Sequence, residues 1–402
     1  MKVLHTSDWH IGKRLYNKDF DQQHELFFKW LCTTISEHLI DVLIVAGDIF
    51  DVAYPSNSSL SIYYKALISI QQTGCKYVII TGGNHDSPST LNAPKEILTH
   101  LNIYVIGGAA ENPADHLIPL YDNNNQIQLV VAAVPFLRDK DIRKSNPGET
   151  FEEKAQAVSN GIANYYKQLE NYVEVYKLKN IPVIATGHFF ISDASMDTKE
   201  HELYIGGLQQ LKINQLPSGF DYIALGHIHR GQKIGNSEHI RYSGSPIALS
   251  FNERAQQKSV VKINFGSTNP EITLINVPQF RNLIRFTGTF KHVSELIKQH
   301  ISSTLLSDYA ELFIEEDFYD STLLSEIQLF TEQCTTVEIL NYRILIKNKN
   351  TETNPLHETI LLKDVSVNDI FNNLLINHTP ESATALKQTF EELKNALNTK
   401  ND

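Results

Sequence analysis

From residue 1 to about 230, short apolar runs alternate with segments whose apolar residues recur at steps of three and four. That alternation predicts an α/β fold in which strands pack under helices. Strands are expected over 3–7, 42–46, 77–81, 103–106, 128–134, 183–186 and 222–225. Between the first two, Phe27, Trp30, Leu31, Ile35 and Leu39 form the apolar stripe of a helix. A second amphipathic helix is expected over 151–179, and further strands over 239–243 and 259–265.

The pattern loosens across 266–278, where Gly, Ser, Thr, Asn and Pro cluster, and a domain boundary is expected there. The first domain then spans 1–270. A second, 280–348, reads as strand, helix, strand, helix, strand, with strands over 283–290, 309–314 and 337–346 and helices near 292–301 and 321–334. Residues 347–355 read as a linker. A third unit, 365–402, reads as two helices around the Thr379–Pro380 turn. In the second of these, Ala383, Leu386, Phe390, Leu393 and Leu397 make one apolar seam.

Composition changes this picture little, since 42% apolar and 20% charged residues are ordinary for a soluble globular chain. No run approaches the roughly 18 apolar residues of a membrane span. Residues 1–10 run as a short strand into Asp8 and read as no signal peptide. Cys32, Cys75 and Cys334 are too far apart for a disulfide framework or a zinc knuckle, so a reducing cytoplasm is expected. Charge matters more. The net value of −11 argues against passive binding to a phosphate backbone, and residues 280–402 carry 11 Lys and Arg against 18 Asp and Glu. Weak nucleic-acid affinity of the chain alone, and hence a partner, is the expectation.

Five stretches carry chemistry, each at the carboxyl end of an expected strand: Asp8-Trp9-His10, Gly47-Asp48-Ile49-Phe50-Asp51, Gly83-Asn84-His85-Asp86, Gly187-His188, and Gly226-His227-Ile228-His229. Open α/β sheets place ligands at that edge. Asp and Asn offer hard oxygen and His offers imidazole nitrogen, a mixture suited to manganese, iron or zinc. Asp-x-His and His-x-His put two side chains on the same side of an extended segment. Asp48, after a central strand, is placed to bridge two ions, and two ions roughly 3.5–4 Å apart activate water and hold a phosphate. His85, beside Asn84, is placed to protonate a leaving oxygen. Any one stretch alone reads as a cap or a turn; the ordered set does not.

The ordered set resembles the calcineurin-like metallophosphoesterase superfamily. Longer stretches, 4–12, 44–51 and 221–230, with Tyr242-Ser243-Gly244-Ser245-Pro246 and Leu249-Ser250-Phe251, resemble more closely the D-subunit family of bacterial SbcCD nucleases, kin of the double-strand-break repair nuclease. The resemblance implies a β-sandwich flanked by helices, with 280–348 as a small α/β capping domain and a C-terminal helical pair. It also implies that two divalent ions, Mn2+, are held by Asp8, His10, Asp48 and His229 and by Asp48, Asn84, His188 and His227. His85 is then the catalytic histidine, and Asp51 and Asp86 orient ligands. The implied activity is double-strand exonuclease and single-strand or hairpin endonuclease, in DNA repair, replication and recombination. The implied partners are DNA and an SMC-like coiled-coil ATPase, the C subunit, with two copies of this chain in a heterotetramer. The doubled glycine Gly82-Gly83, where a single one is expected, is the one local departure.

Other residues divide less sharply. His5, inside the first strand, is expected to be buried and hydrogen-bonded; His24 and His38 are read as structural or surface residues. Lys13, Arg14, Arg138, Lys140, Arg143, Lys144 and Arg230 are candidates for DNA phosphate, against a solvated charged loop. The seam of Leu386, Phe390, Leu393 and Leu397 fits docking on the ATPase, against packing on this chain's own preceding helix. Two other functions use the same fold: a protein phosphatase or small-molecule phosphodiesterase, and an inactive scaffold. The complete ligand set speaks against the scaffold. No G-x-x-x-x-G-K-[ST] loop occurs, so ATP dependence would belong to the partner.

Overall fold

The strands that read as unbroken apolar runs are buried on both faces, which is where parallel strands in α/β folds belong. In the computed structural model, which describes residues 1–144, 147–192, 194, 210–266, 270–318, 322–347, 386, 387, 389 and 390, all five residues of Val42–Ala46 are buried. The chain divides into two units, Met1–Ile346 and Lys347–Asp402.

In the first unit the strands of interest, in chain order, are β1 (Lys2–Thr6), β2 (Val42–Ala46), β3 (Tyr77–Thr81), β4 (Ile103–Ile106), β5 (Leu117–Tyr121), β6 (Ile127–Ala132), β7 (Val183–His188), β8 (Tyr222–Gly226), β9 (Gln232–Ile234), β10 (Ser237–Tyr242), β11 (Ser259–Asn264) and β12 (Glu271–Asn276). They form two six-stranded sheets, ordered β12-β11-β1-β2-β3-β4 and β9-β10-β8-β7-β6-β5. The runs β1 to β4 and β10-β8-β7-β6 are parallel, and antiparallel strands close the remaining edges.

Val3, Ile44, Ile79, Val131, Ile184 and Ala224 fill the space between the sheets. Helices α1 (Asp21–His38) and α2 (Asn57–Gln71) cover the outer face of the first sheet. Helix α3 (Phe151–Lys177) covers the second. The β-sandwich flanked by helices is the expected architecture. Among the described residues, no helix is long and apolar enough to cross a membrane, and the three cysteines are unpaired.

The structure differs from the sequence pattern at the sheet edges and at one helix end. Strands β5 and β9, at the two edges of the second sheet, stand where no strand is expected. Strand β12 falls within the loosened stretch, and four of its six residues, Glu271, Thr273, Leu274 and Asn276, are exposed at the sheet's edge, so it offers no apolar run. Leu39 leaves the α1 stripe: it caps the helix in a left-handed conformation with φ 52 and is 72% exposed.

Three parallel strands, β13 (Leu283–Gly288), β14 (Tyr309–Glu316) and β15 (Glu338–Ile346), form a separate small sheet. Helices α4 (Phe290–Gln299) and α5 (Leu323–Gln333) give it a core of its own, around Val293, Ile297, Leu312, Ile314 and Ile327. It meets the sandwich through the hairpin that follows the first motif: Asn341 donates to the Tyr16 hydroxyl at 2.8 Å, and Lys18 pairs with Glu338 at 2.7 Å. In the second unit, Leu386, Lys387, Thr389 and Phe390 are helical and Leu386 is exposed. Ala383, Leu393, Leu397 and the Thr379–Pro380 turn lie outside the described residues.

Candidate metal centre

Parallel strands deliver their carboxyl ends to a common edge, and the five motifs sit there. Asp8 and His10 follow β1, Asp48 follows β2, Asn84 and His85 follow β3, His188 ends β7, and His227 and His229 follow β8. The first two loops are zipped together by Asp8 N to Gly47 O at 3.0 Å, His10 N to Asp48 O at 3.0 Å and Ile11 N to Ile49 O at 2.9 Å. The two sheets are tied at the same edge, where His227 N donates to Asp8 Oδ1 at 2.9 Å.

Four of these residues hold left-handed backbone: Asp8 (φ 52), His10 (φ 47), Asp48 (φ 51) and His227 (φ 97). Such conformations cost about 1–3 kcal/mol each and persist where surrounding structure overrides them, typically at functional sites. Close approach is as demanding. A Cβ on Gly226 would lie 1.9 Å from Ala46 O, so only glycine lets the second sheet's loop reach the first.

The side chains fall into groups whose donor atoms lie within 4.8 Å of one another: Asp8, His10 and His229; Asp48, His188 and His227; and His10, Asp51 and His85. Asp48 Oδ2 stands 3.6 Å from His10 Nε2 and 3.2 Å from His188 Nε2, between the first two groups. Asn84 Oδ1 is 3.0 Å from both His188 Nε2 and His227 Nδ1. The far ring nitrogens face acceptors: His10 Nδ1 faces Asp51 at 3.1 Å, His188 Nδ1 the Ala46 carbonyl at 2.9 Å, and His229 Nδ1 Glu253 at 3.3 Å. A proton on each of those nitrogens leaves the Nε2 lone pair facing the carboxylates. His10 Nε2 is buried and meets no hydrogen-bond partner among the described residues.

Lone pairs converging on carboxylate and amide oxygen fit cations, and the mixed oxygen and imidazole set suits divalent metals of borderline softness. The residues fit a dinuclear metal site.

The electrostatics agree. Burial opposes ionisation of Asp48, yet His188 and His10 hold its carboxyl far below the usual range. Burial works against a charged His188 as well, and Asp48 overcomes it, raising the imidazole to about 9. His227 goes the other way, to about 3, through burial and the neighbouring His188. Asp48 thus favours positive charge at His188, while burial holds His10, like His227, below the ordinary imidazole value and so favours their lone-pair form. Asp86 is pushed up to about 6 by burial and by Asp48, although it accepts from Gly83 N, Ile49 N and Phe50 N. Asp51 is only half-buried; the burial it has raises its carboxyl, but His10 and Lys13 draw it down to about 2.

The structure brings together all seven expected ligand residues, with Asp51 and Asp86 behind them. His85 is exposed beside them; its Nδ1 meets Asp51 O at 2.8 Å and its backbone N donates to Asp48 Oδ1 at 2.9 Å.

The basic candidates are mostly engaged. Lys13 pairs with Asp51 at 3.2 Å, Arg14 donates to Asn17 O at 3.2 Å, and Arg138 donates to Asp86 O at 3.0 Å. Arg143 is held by Asp139 and Glu149. Lys140, Lys144 and Arg230 are exposed.

Sequence reading missed Glu253, the partner of His229, and Lys258, which pairs with Glu253 at 2.6 Å. The signal was there: two opposite charges five residues apart, flanked by Leu249, Phe251 and the apolar run of β11.

Residues 1–231 match the family model described as calcineurin-like phosphoesterase. Over 380 residues the chain is 35% identical to the D subunit of the SbcCD nuclease of Escherichia coli (strain K12), covering 93% of this chain and 92% of the relative. The protein of the same name from Rhodobacter capsulatus is 32% identical over 66% of this chain and 67% of its own length. The Bacillus subtilis counterpart is 29% identical over 66% of each. With a family match over more than half its length and that likeness along nearly all of it, this chain belongs to the calcineurin-like phosphoesterases and, among them, to the D-subunit family of SbcCD nucleases.

Proposed function

We propose that this chain is the nuclease subunit of a DNA-cutting complex, a two-metal phosphodiesterase acting on double-strand ends, hairpins and single strands. One observation carries the reading: ligand groups from both sheets meet at one edge, with Asp48 between them. In this reading Asp8, His10, Asp48 and His229 hold one manganese ion, and Asp48, Asn84, His188 and His227 hold the other. When bound, such ions polarise the phosphate and supply a nucleophile at neutral pH.

The chain's own residues do the rest. Asp51 and Asp86 fix the loops and the His10 ring. His85 donates from Nδ1 to Asp51 O at 2.8 Å, so Nε2 faces the site and, in the doubly protonated imidazolium, gives its proton to the departing sugar oxygen and leaves the ring neutral. Lys13, Arg14, Arg138 and Arg230 are the candidates for DNA phosphate, with Arg230 exposed next to His229.

DNA is favoured over other phosphoesters because a relative along 93% of the chain, and another over 66% of it, are named as nucleases. The sheet of β13 to β15, after the matched residues 1–231, is proposed as the cap that orients DNA. The word "subunit" in the relatives' name supports a partner, which we take to be a coiled-coil ATPase docked on 365–402 through Leu386, Phe390, Leu393 and Leu397. Two copies of each chain in the cytoplasm complete the proposal.

The test is cleavage of single-stranded and hairpin DNA by the purified chain, alone and with the ATPase, in manganese, in magnesium and with chelator. Manganese-dependent cutting that His85→Gln abolishes is the expected result. Hydrolysis of a phosphoprotein or a small phosphodiester, with DNA left intact in every arm, would overturn the DNA assignment.

A further inference from the structure

The stretch 242–258 contains no metal ligand, yet it lies behind two of them. On one side, Ser243 Oγ is 2.7 Å from Ser7 Oγ, and Ser7 donates to Asp8 Oδ2. On the other, Glu253 and Lys258 are buried, at 3% and 8% exposure. Glu253 Oε1 faces His229 Nδ1 at 3.3 Å, while Oε2 accepts from Lys258 Nζ at 2.6 Å and from Ser245 Oγ and Leu249 N at 3.2 Å. Lys258 Nζ also donates to Ser245 Oγ at 2.9 Å and to the main-chain carbonyl of His229 at 3.0 Å. One buried ion pair therefore holds a single residue at two points, its ring through the acid and its backbone through the base.

A buried ion pair is a poor stabiliser, because desolvating both charges consumes much of their attraction. Here the pair has a geometric task. A carboxylate on Nδ1 fixes the imidazole tautomer, leaves Nε2 as the ligand nitrogen and raises its basicity. The other group is built differently: His188 is fixed by the neutral Ala46 carbonyl at 2.9 Å.

We infer that Glu253 and Lys258, joined through Ser245, are positioning residues that set the tautomer and aim of His229 and so tune the affinity of the ion held with Asp8 and His10. The ion at Asn84, His188 and His227 is outside their reach. This rests on the ligand assignment proposed above.

The experiment is calorimetric titration of the metal-free full chain with Mn2+, with thermal unfolding of each variant as the folding control. Wild-type protein takes up two ions. Glu253→Ala weakens one binding step by about 10–100-fold and leaves the other unchanged, as loss of a ligand's supporting partner does. The double variant Glu253→Leu/Lys258→Met roughly keeps side-chain volume, leaves no buried charge unpaired, offers His229 Nδ1 no carboxylate or amide acceptor, and carries the test should the alanine variant not fold. It shows the same one-step weakening, and nuclease activity returns at high manganese. Two unchanged binding steps in a folded variant would overturn the inference, as would equal weakening of both, which marks a merely structural role. Wild-type protein that binds no manganese would overturn the ligand assignment, and this inference with it.

Discussion

A methyl group on Gly83 would stand 2.1 Å from Oδ1 of Asp48. The neighbouring backbone leaves it nowhere to go, since Gly83 N is held by Asp86 Oδ2 at 2.8 Å and the same Asp48 oxygen accepts from His85 N at 2.9 Å. Gly83→Ala is therefore expected to cost about 1–3 kcal/mol in urea unfolding, the usual range for overpacking. Activity should fall much further than that stability change accounts for. A folded Gly83→Ala variant with wild-type cleavage would refute the placement of Asp48.

Asp51 receives His10 Nδ1 at 3.1 Å and Lys13 Nζ at 3.2 Å. Asp51→Ala removes the acceptor that orients the ring, so the manganese concentration giving half-maximal cleavage should rise about 10–100-fold. Saturating manganese should restore most of the rate. An unchanged manganese requirement would show that His10 needs no such support.

Chelation should abolish cleavage and lower the melting temperature. An ion that binds only the folded chain, at a hundred times its Kd, adds about 2.7 kcal/mol of stability. Calorimetric scans with chelator and with added manganese measure the difference, and identical transitions would count against a dinuclear site.

Acid should destabilise the fold through His116. Burial pushes this imidazole down to about 4 from 6.5, and its Nε2 accepts from Ala110 N at 3.0 Å. The folded chain resists a proton that the unfolded chain takes up. The stabilisation is therefore complete above about pH 6.5 and is lost as pH falls towards about 4, a change of roughly 3 kcal/mol. His116→Gln keeps an acceptor and removes the titration. Urea midpoints between pH 7 and pH 4 should fall less steeply for the variant; parallel slopes would exclude His116 as the source.

Much of the sandwich could be read in advance because its central strands are buried on both faces and so form unbroken apolar runs, as in Val42–Ala46. The metal motifs were legible for a related reason. Strand ends fix where loops go, so Asp, Asn and His beside glycine at several ends imply one meeting place. His5 could be read too: a polar residue inside a buried strand needs a partner, and its Nδ1 lies 3.0 Å from the Tyr222 hydroxyl. Edge strand β12 was not legible, since a half-exposed strand such as Glu271–Asn276 has the composition of a loop. The contact of Glu253 with His229 was hidden as well, because 24 residues and a change of sheet separate them.

The ligand groups are divided between two sheets, and the first sheet is itself closed by β11, a strand from beyond residue 258 pairing with β1. During synthesis the ribosome releases Asp8, His10, Asp48 and Asn84 long before His188, His227 and His229. A nascent chain therefore carries four of the seven groups first and gains the other three only as the second sheet is made. Order of manufacture leaves the centre incomplete until the chain has passed residue 229.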